Sequence, residues 1–196
     1  LHSVTKLMAG HSDSMLGYVV ARDAALTERM RVFSVTAGLT PSPFDCWLAE
    51  RGLLSFDLRF DRAEATAAAL ADHLAGQAGV TRVLYPTRDD HPDHAKAMAL
   101  LNGHGCNMVS FELDGGRAEA NAFARAAQGR LSFAPTLGDA GTTLSHPASS
   151  SHRALTAERR AELGMTEGFF RVSVGLEDPA ALLQVFSDCI AAATAN

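Results

Sequence analysis

Two hydroxyls and an amine are crowded into four positions near the start of the chain, at Ser3, Thr5 and Lys6, ahead of a glycine turn at Gly10. In an extended segment residues of one parity share a face, so Ser3 and Thr5 point together and the turn presents Lys6 beside them. Hydroxyls donate to phosphate oxygens, and an amine held by burial below its ordinary pKa of about 10.4 attacks a carbonyl to form an imine. The cluster therefore suits a ligand that carries both a phosphate and a carbonyl. A second cationic candidate is Arg171, ahead of the run Val172-Ser173-Val174. An arginine on a buried strand is costly unless it meets an anion. The sequence offers Glu177 and Asp178 for that purpose.

Other chemistry is disfavoured. The chain has eight histidines, and His91 with His94, or His146 with His152, invite a metal. No metal is expected, because zinc needs three or four convergent ligands and His91 and His94 only flank a helix start. Cys106 has no adjacent Lys or Arg to depress its pKa and reads as a small buried residue. Gly103-His104-Gly105 follows no strand and is a poor dinucleotide loop. Cys46, Cys106 and Cys189 are odd in number and widely spaced, which reads as reduced intracellular thiols. A net charge of −5 gives no reason to expect nucleic acid or an anionic membrane as partner. No run approaches the ~20 apolar residues that span a bilayer, and the N-terminus has no signal-peptide pattern, so a cytoplasmic location is the expectation.

These residues need elements to hold them. Gly17 to Ala21 reads as a buried strand and Asp23 to Phe33 as a helix. Thr40-Pro41-Ser42-Pro43 breaks the pattern, a helix starts near Phe44, and the break looks like a crossing between domains. A long alanine-rich helix runs from Arg59 to Ala75 and connects the two domains. Beyond it the chain alternates: strand 80–85, helix 93–101, strand 107–113, helix 117–127, short strand 131–133, strand 169–174 and a last helix 179–192. Asp178 and Pro179 suit the start of that helix, whose stripe of Leu182, Leu183, Phe186, Cys189, Ile190 and Ala193 should cover the sheet. Residues 137–151, rich in Gly, Ser and Thr, read as a loop of the kind that lines sites.

The segment Ser3-x-Thr5-Lys6-x-x-x-Gly10-His11-Ser12-Asp13 resembles the cofactor-lysine segment of the Cys/Met-metabolism (trans-sulfuration) enzymes. Those enzymes depend on pyridoxal phosphate, which has both a phosphate and a carbonyl. Five later blocks continue the resemblance in order: Pro43-Phe44-Asp45-x-Trp47-Leu48-x-x-Arg51-Gly52-Leu53, Val109-Ser110-Phe111, Leu137-Gly138-Asp139, His146-Pro147-Ala148 with His152, and Arg171 to Asp178. The resemblance implies an α/β chain. Residues 1–58 would be the end of a large pyridoxal-phosphate-binding domain of the type I aminotransferase-like kind. Residues 59–196 would be a connecting helix and a small α+β domain with a mainly antiparallel sheet covered by helices.

The resemblance also implies roles. Lys6 would form the imine with the cofactor and then shuttle protons, Ser3 and Thr5 would hold the phosphate, and Arg171 would grip the α-carboxylate of an amino-acid substrate. Thr136 stands where the family usually has serine and would assist at that carboxylate. His146 matches a family position with no metal. Pro135 replaces a Glu or Tyr common in cystathionine-processing members, which weakly disfavours that substrate. The implied activity is β- or γ-elimination or replacement on sulfur amino acids or activated homoserine, with lyase and synthase or sulfhydrylase both open. Family members place a large part of their chain ahead of the lysine, so the sequence reads as a C-terminal half. The groups that pair with the pyridine nitrogen and stack on the ring would lie upstream. The full-length protein would be a homo-oligomer, a dimer of dimers. A non-catalytic remnant or interaction module of the same fold is the alternative.

Overall fold

Short ladders and side-chain caps organise the first of two units, Leu1–Leu58 and Arg59 onward, into which the chain divides in a computed structural model that describes residues 1–195. In unit 1, β1 (His2–Ser3) pairs antiparallel with β2 (Gly17–Tyr18). Helix α1 (Ala24–Thr36) starts where the Asp23 carboxylate accepts a bond from Leu26 N at 2.6 Å. Helix α2 (Pro43–Leu53) starts with Ser42 Oγ accepting from Asp45 N and with Pro43 at a first-turn position that needs no N–H. Gly52 of α2 lies against the Ala9 main chain, an approach that any Cβ would block.

Two expectations for this part change. Only Gly17 and Tyr18 of the strand foreseen over 17–21 are paired, because β1 offers two residues, and Val19 and Val20 stay exposed. The break at residues 40–43 is no crossing either: α2 belongs to unit 1, and the division falls within α3 (Phe56–Ala75), which starts three residues earlier than its alanine pattern suggests. Helix α1 buries none of its residues. Leu26, Val32, Phe33 and Leu39 remain exposed and help to line a groove of about 1060 Å³.

Unit 2 is a five-stranded sheet in the order β3-β4-β7-β6-β5, built from β3 (Val80–Leu84), β4 (Met108–Leu113), β5 (Ser132–Phe133), β6 (Thr143–Ser145) and β7 (Phe169–Ser173). All neighbours are antiparallel except β5 and β6. The helices are α4 (His94–Leu101), α5 (Arg117–Ala127), α6 (Ala157–Glu162) and α7 (Pro179–Thr194), the last capped by Asp178 at 2.9 Å. Side chains alternate along a strand. Val109, Phe111 and Leu113 of β4 and Phe170 and Val172 of β7 therefore enter one core with Leu70 and Leu74 of α3, Phe123 of α5 and Leu182, Phe186 and Ile190 of α7.

The strand β6 stands inside the segment expected to be a loop. It is an interior strand, flanked by β7 and β5, and residues 142–148 are all buried. Its single core aliphatic, Leu144, gives no periodic signal. The loop before β4 is tied to α3 through Glu64, whose carboxylate accepts from Gly105 N at 2.6 Å, Cys106 N at 2.9 Å and His104 Nδ1 at 2.8 Å. Burial opposes ionisation of Glu64, but these three donors outweigh it and hold the carboxyl below its ordinary range. No helix among the described residues is long and apolar enough to cross a membrane.

Candidate active-site residues

The residues singled out for chemistry fall in both units: Ser3, Thr5 and Lys6 in the first, Thr136 and Arg171 in the second. The extended stretch ends at Ser3, and the chain turns from Val4 through Ala9 instead of continuing as a strand. The reason is visible in the main chain, where Val4 N and Thr5 N both donate to Leu16 O, at 2.9 and 3.2 Å, and Ala9 N returns to Val4 O. Gly10 closes the turn at φ 77°, with its N–H on Lys6 O at 2.8 Å.

Within that turn Lys6 is half-buried, and its ammonium has no hydrogen-bond or ion-pair partner among the described residues. The hydroxyl of exposed Ser3 is likewise unengaged. Thr5 differs: its Oγ1 accepts from Leu16 N at 2.9 Å and donates to Leu16 O at 3.2 Å. A hydroxyl has one proton, so Thr5 gives it to a phosphate only by releasing the longer of these bonds. Buried Ser14, which sequence reasoning did not single out, leaves its Oγ without a partner among the described residues. An amine without a competing carboxylate, one free hydroxyl and one on a long bond fit a ligand that brings a phosphate and a carbonyl.

In unit 2, Arg171 sits at the middle of β7 on the face opposite the core. Its Nη2 donates to Pro135 O at 3.0 Å and Thr136 O at 3.3 Å, while Nε is buried with no partner among the described residues. Neither acid that the sequence offered pairs with it. Glu177 accepts from Thr142 N at 2.6 Å and Thr142 Oγ1 at 2.7 Å, and Asp178 caps α7. Thr136 contributes its carbonyl to Arg171, and its exposed hydroxyl has no partner among the described residues. A guanidinium held by two neutral carbonyls has no anion beside it among the described residues, an arrangement able to accept a carboxylate.

The other candidates have structural partners. His146 is buried: Nε2 donates to Glu167 O at 2.8 Å, so Nδ1 accepts from Ser149 Oγ at 2.8 Å. Arg117 bonds both Ser149 and Glu167. Burial is the main cause that holds the imidazole below its ordinary value, and the Arg117 and Arg160 charges add to it. Protons then bind the unfolded chain in preference to the folded one as pH falls through His146's unperturbed value of 6.5, so stability drops on that descent. A His146→Gln variant is expected to show a shallower fall in melting temperature between pH 7 and 5.5, and an unchanged slope would refute the assignment. Half-buried Cys106 sits at φ 60°, and burial pushes its thiol up, away from reactivity. Among the described residues no three His, Cys, Asp or Glu side chains group to hold a metal.

Comparison with known proteins gives this arrangement its class. Residues 1–191 match the family model of the Cys/Met metabolism PLP-dependent enzymes. The chain is 40% identical over 178 residues to an O-succinylhomoserine sulfhydrylase of Pseudomonas aeruginosa, covering 91% of this chain and 43% of that protein. It is 40% identical over 180 residues to an L-methionine gamma-lyase of Pseudomonas putida, covering 91% and 44%. In structure it matches a cystathionine gamma synthase from Xanthomonas oryzae pv. oryzae crystallised with cystathionine, with a TM-score of 0.89, 39% identity and coverage of 99% and 50%. Yeast cystathionine gamma-lyase matches with a TM-score of 0.90, 34% identity and coverage of 98% and 49%. The chain belongs to the Cys/Met-metabolism family, whose cofactor is pyridoxal phosphate. It spans about half the length of the curated relatives it matches.

Proposed function

We propose that this chain supplies the cofactor lysine and the carboxylate-binding small domain of a pyridoxal-phosphate enzyme that eliminates or replaces groups at the β or γ carbon of sulfur amino acids or activated homoserines. The observation that carries this reading is Arg171, a guanidinium with no anion among the described residues and a buried, unused Nε–H. When bound, the cofactor supplies an electron sink for negative charge formed at the substrate's α-carbon. The rest belongs to the protein. Ser3, and Thr5 on exchanging its Leu16 bond, hold the phosphate, and Lys6 carries the cofactor covalently and moves a proton at the α-carbon. Arg171 takes the α-carboxylate by a two-pronged contact, with the Thr136 hydroxyl assisting.

Unit 1 then forms the end of the cofactor domain, and the exposed apolar side chains of α1 are covered by the rest of that domain. The names of the relatives include a sulfhydrylase, a γ-lyase and a γ-synthase, which supports the reaction class and leaves the leaving group open. Assembly as a homo-oligomer belongs to the same reading.

Within these 196 residues the label can fall on only two lysines, Lys6 and Lys96. Incubation of the full polypeptide with pyridoxal phosphate, borohydride reduction and peptide mapping are expected to place the label on Lys6 and spare exposed Lys96. Equal labelling of both lysines, or none, would overturn the assignment.

A further inference from the structure

The aim of Arg171 depends on two carbonyls that belong to another segment. Pro135 O and Thr136 O lie between β5 and β6 and engage Nη2, while no described residue engages Nη1 or Nε. A two-pronged contact needs the guanidinium plane held in one orientation, so whatever fixes these carbonyls fixes the recognition.

The segment is fixed from β7 itself. Ser173 lies two residues beyond Arg171 and therefore on the same face of the strand. Its Oγ accepts from Gly138 N at 2.8 Å and from Asn107 Nδ2 at 3.1 Å, and the Asn107 amide also donates to Val174 O at 3.0 Å. Gly138 adopts φ 80°, a left-handed conformation that suits glycine. Ser173 and Asn107 are each only 1% exposed, so water does not substitute for their bonds. Further along the segment, Gly175 N donates to Thr142 Oγ1 at 2.9 Å while Thr142 is held by Glu177. Alanine would fill the space of Ser173 nearly as well. It could not hold Gly138.

We propose that Ser173, backed by Asn107, is a positioning residue that anchors the Pro135–Gly138 segment and so orients the Arg171 guanidinium toward a substrate carboxylate. The inference rests on the carboxylate role proposed for Arg171. The two are separable by measuring discrimination between an amino acid and the amine that lacks its carboxylate. Norleucine, whose side chain has no leaving group, and pentylamine form such a pair, and their affinities for the cofactor-loaded full polypeptide can be read from the cofactor's absorbance.

Arg171→Ala is expected to lower the norleucine-to-pentylamine affinity ratio about 100-fold, and Ser173→Ala about 5- to 10-fold, with pentylamine affinity unchanged in both. Ser173→Thr keeps the oxygen and is expected to stay within about twofold of the parent ratio. Faster amide exchange at Gly138 in Ser173→Ala should accompany the loss, a readout independent of any ligand. If Ser173→Ala does not fold, Ser173→Cys, with a weaker acceptor of similar size, should still lower the ratio about threefold. A ratio unchanged in folded Ser173→Ala or Ser173→Cys but lowered in Arg171→Ala would overturn the positioning role alone. A ratio unchanged in Arg171→Ala would overturn the carboxylate reading itself.

Discussion

Replacing Lys6 with alanine is expected to abolish borohydride-fixed cofactor and to lower turnover of a sulfur amino acid by about 10³-fold or more, whereas Lys96→Ala on α4 leaves both unchanged. In the proposed role the amine has two jobs that no neighbour in its turn can take over. Ser3 and Thr5 offer hydroxyls, which do not condense stably with a carbonyl, and His11 commits Nδ1 to Ala9 O at 2.8 Å. Lys6→Arg should fail as fully as Lys6→Ala, because a guanidinium stays protonated and is no nucleophile at neutral pH. Added methylamine should restore part of the turnover in Lys6→Ala by carrying the proton, without restoring covalent capture. Turnover in Lys6→Ala above about a tenth of the parent value would show that proton transfer belongs to another group.

How much of this was legible in the sequence differs between the lysine and the arginine. The spacing of Ser3, Thr5, Lys6 and Gly10 carries local chemistry, and the turn at Gly10 is where that spacing puts it. The shared face of Ser3 and Thr5 is not, since it presumed a strand longer than the two residues of β1, and the Thr5 hydroxyl is occupied by Leu16, eleven positions away. Helices α3, α5 and α7 are readable because their apolar stripes and caps are local, as Asp178 and Pro179 illustrate.

The interior strand β6 is not readable. Its neighbourhood is buried Thr, Ser and His, and their burial becomes tolerable only through partners such as Glu177 and Glu167, which no local pattern reveals. The same limit hid the anchoring pair. Asn107 ahead of a strand and Ser173 within one look like ordinary polar residues until β4 pairs with β7 and the chain brings Gly138 to them.

Phe170→Ala is expected to cost unit 2 about 3–5 kcal/mol, enough to leave it partly unfolded at 37 °C. The ring is fully buried on β7, stacked on Phe111 at 5.5 Å between centroids and tilted against Phe123 and His146, each at 4.8 Å. Removing it opens a void between the sheet and α5 that neighbouring aromatic rings are too rigid to refill, and forfeits ring-pair attraction of about 0.5–1.5 kcal/mol per contact. Phe133→Ala on β5 is the control, because that ring is exposed and its loss should change stability by less than about 0.5 kcal/mol. The probe must be chosen with care, since the one tryptophan, Trp47, lies on α2 in unit 1 and reports the wrong unit. Amide exchange along β4 and β7 during urea titration of the full chain reads the right one. A cost below about 1 kcal/mol would mean that the site collapses around the missing ring, and that the aromatic cluster does not set the geometry of the strand bearing Arg171.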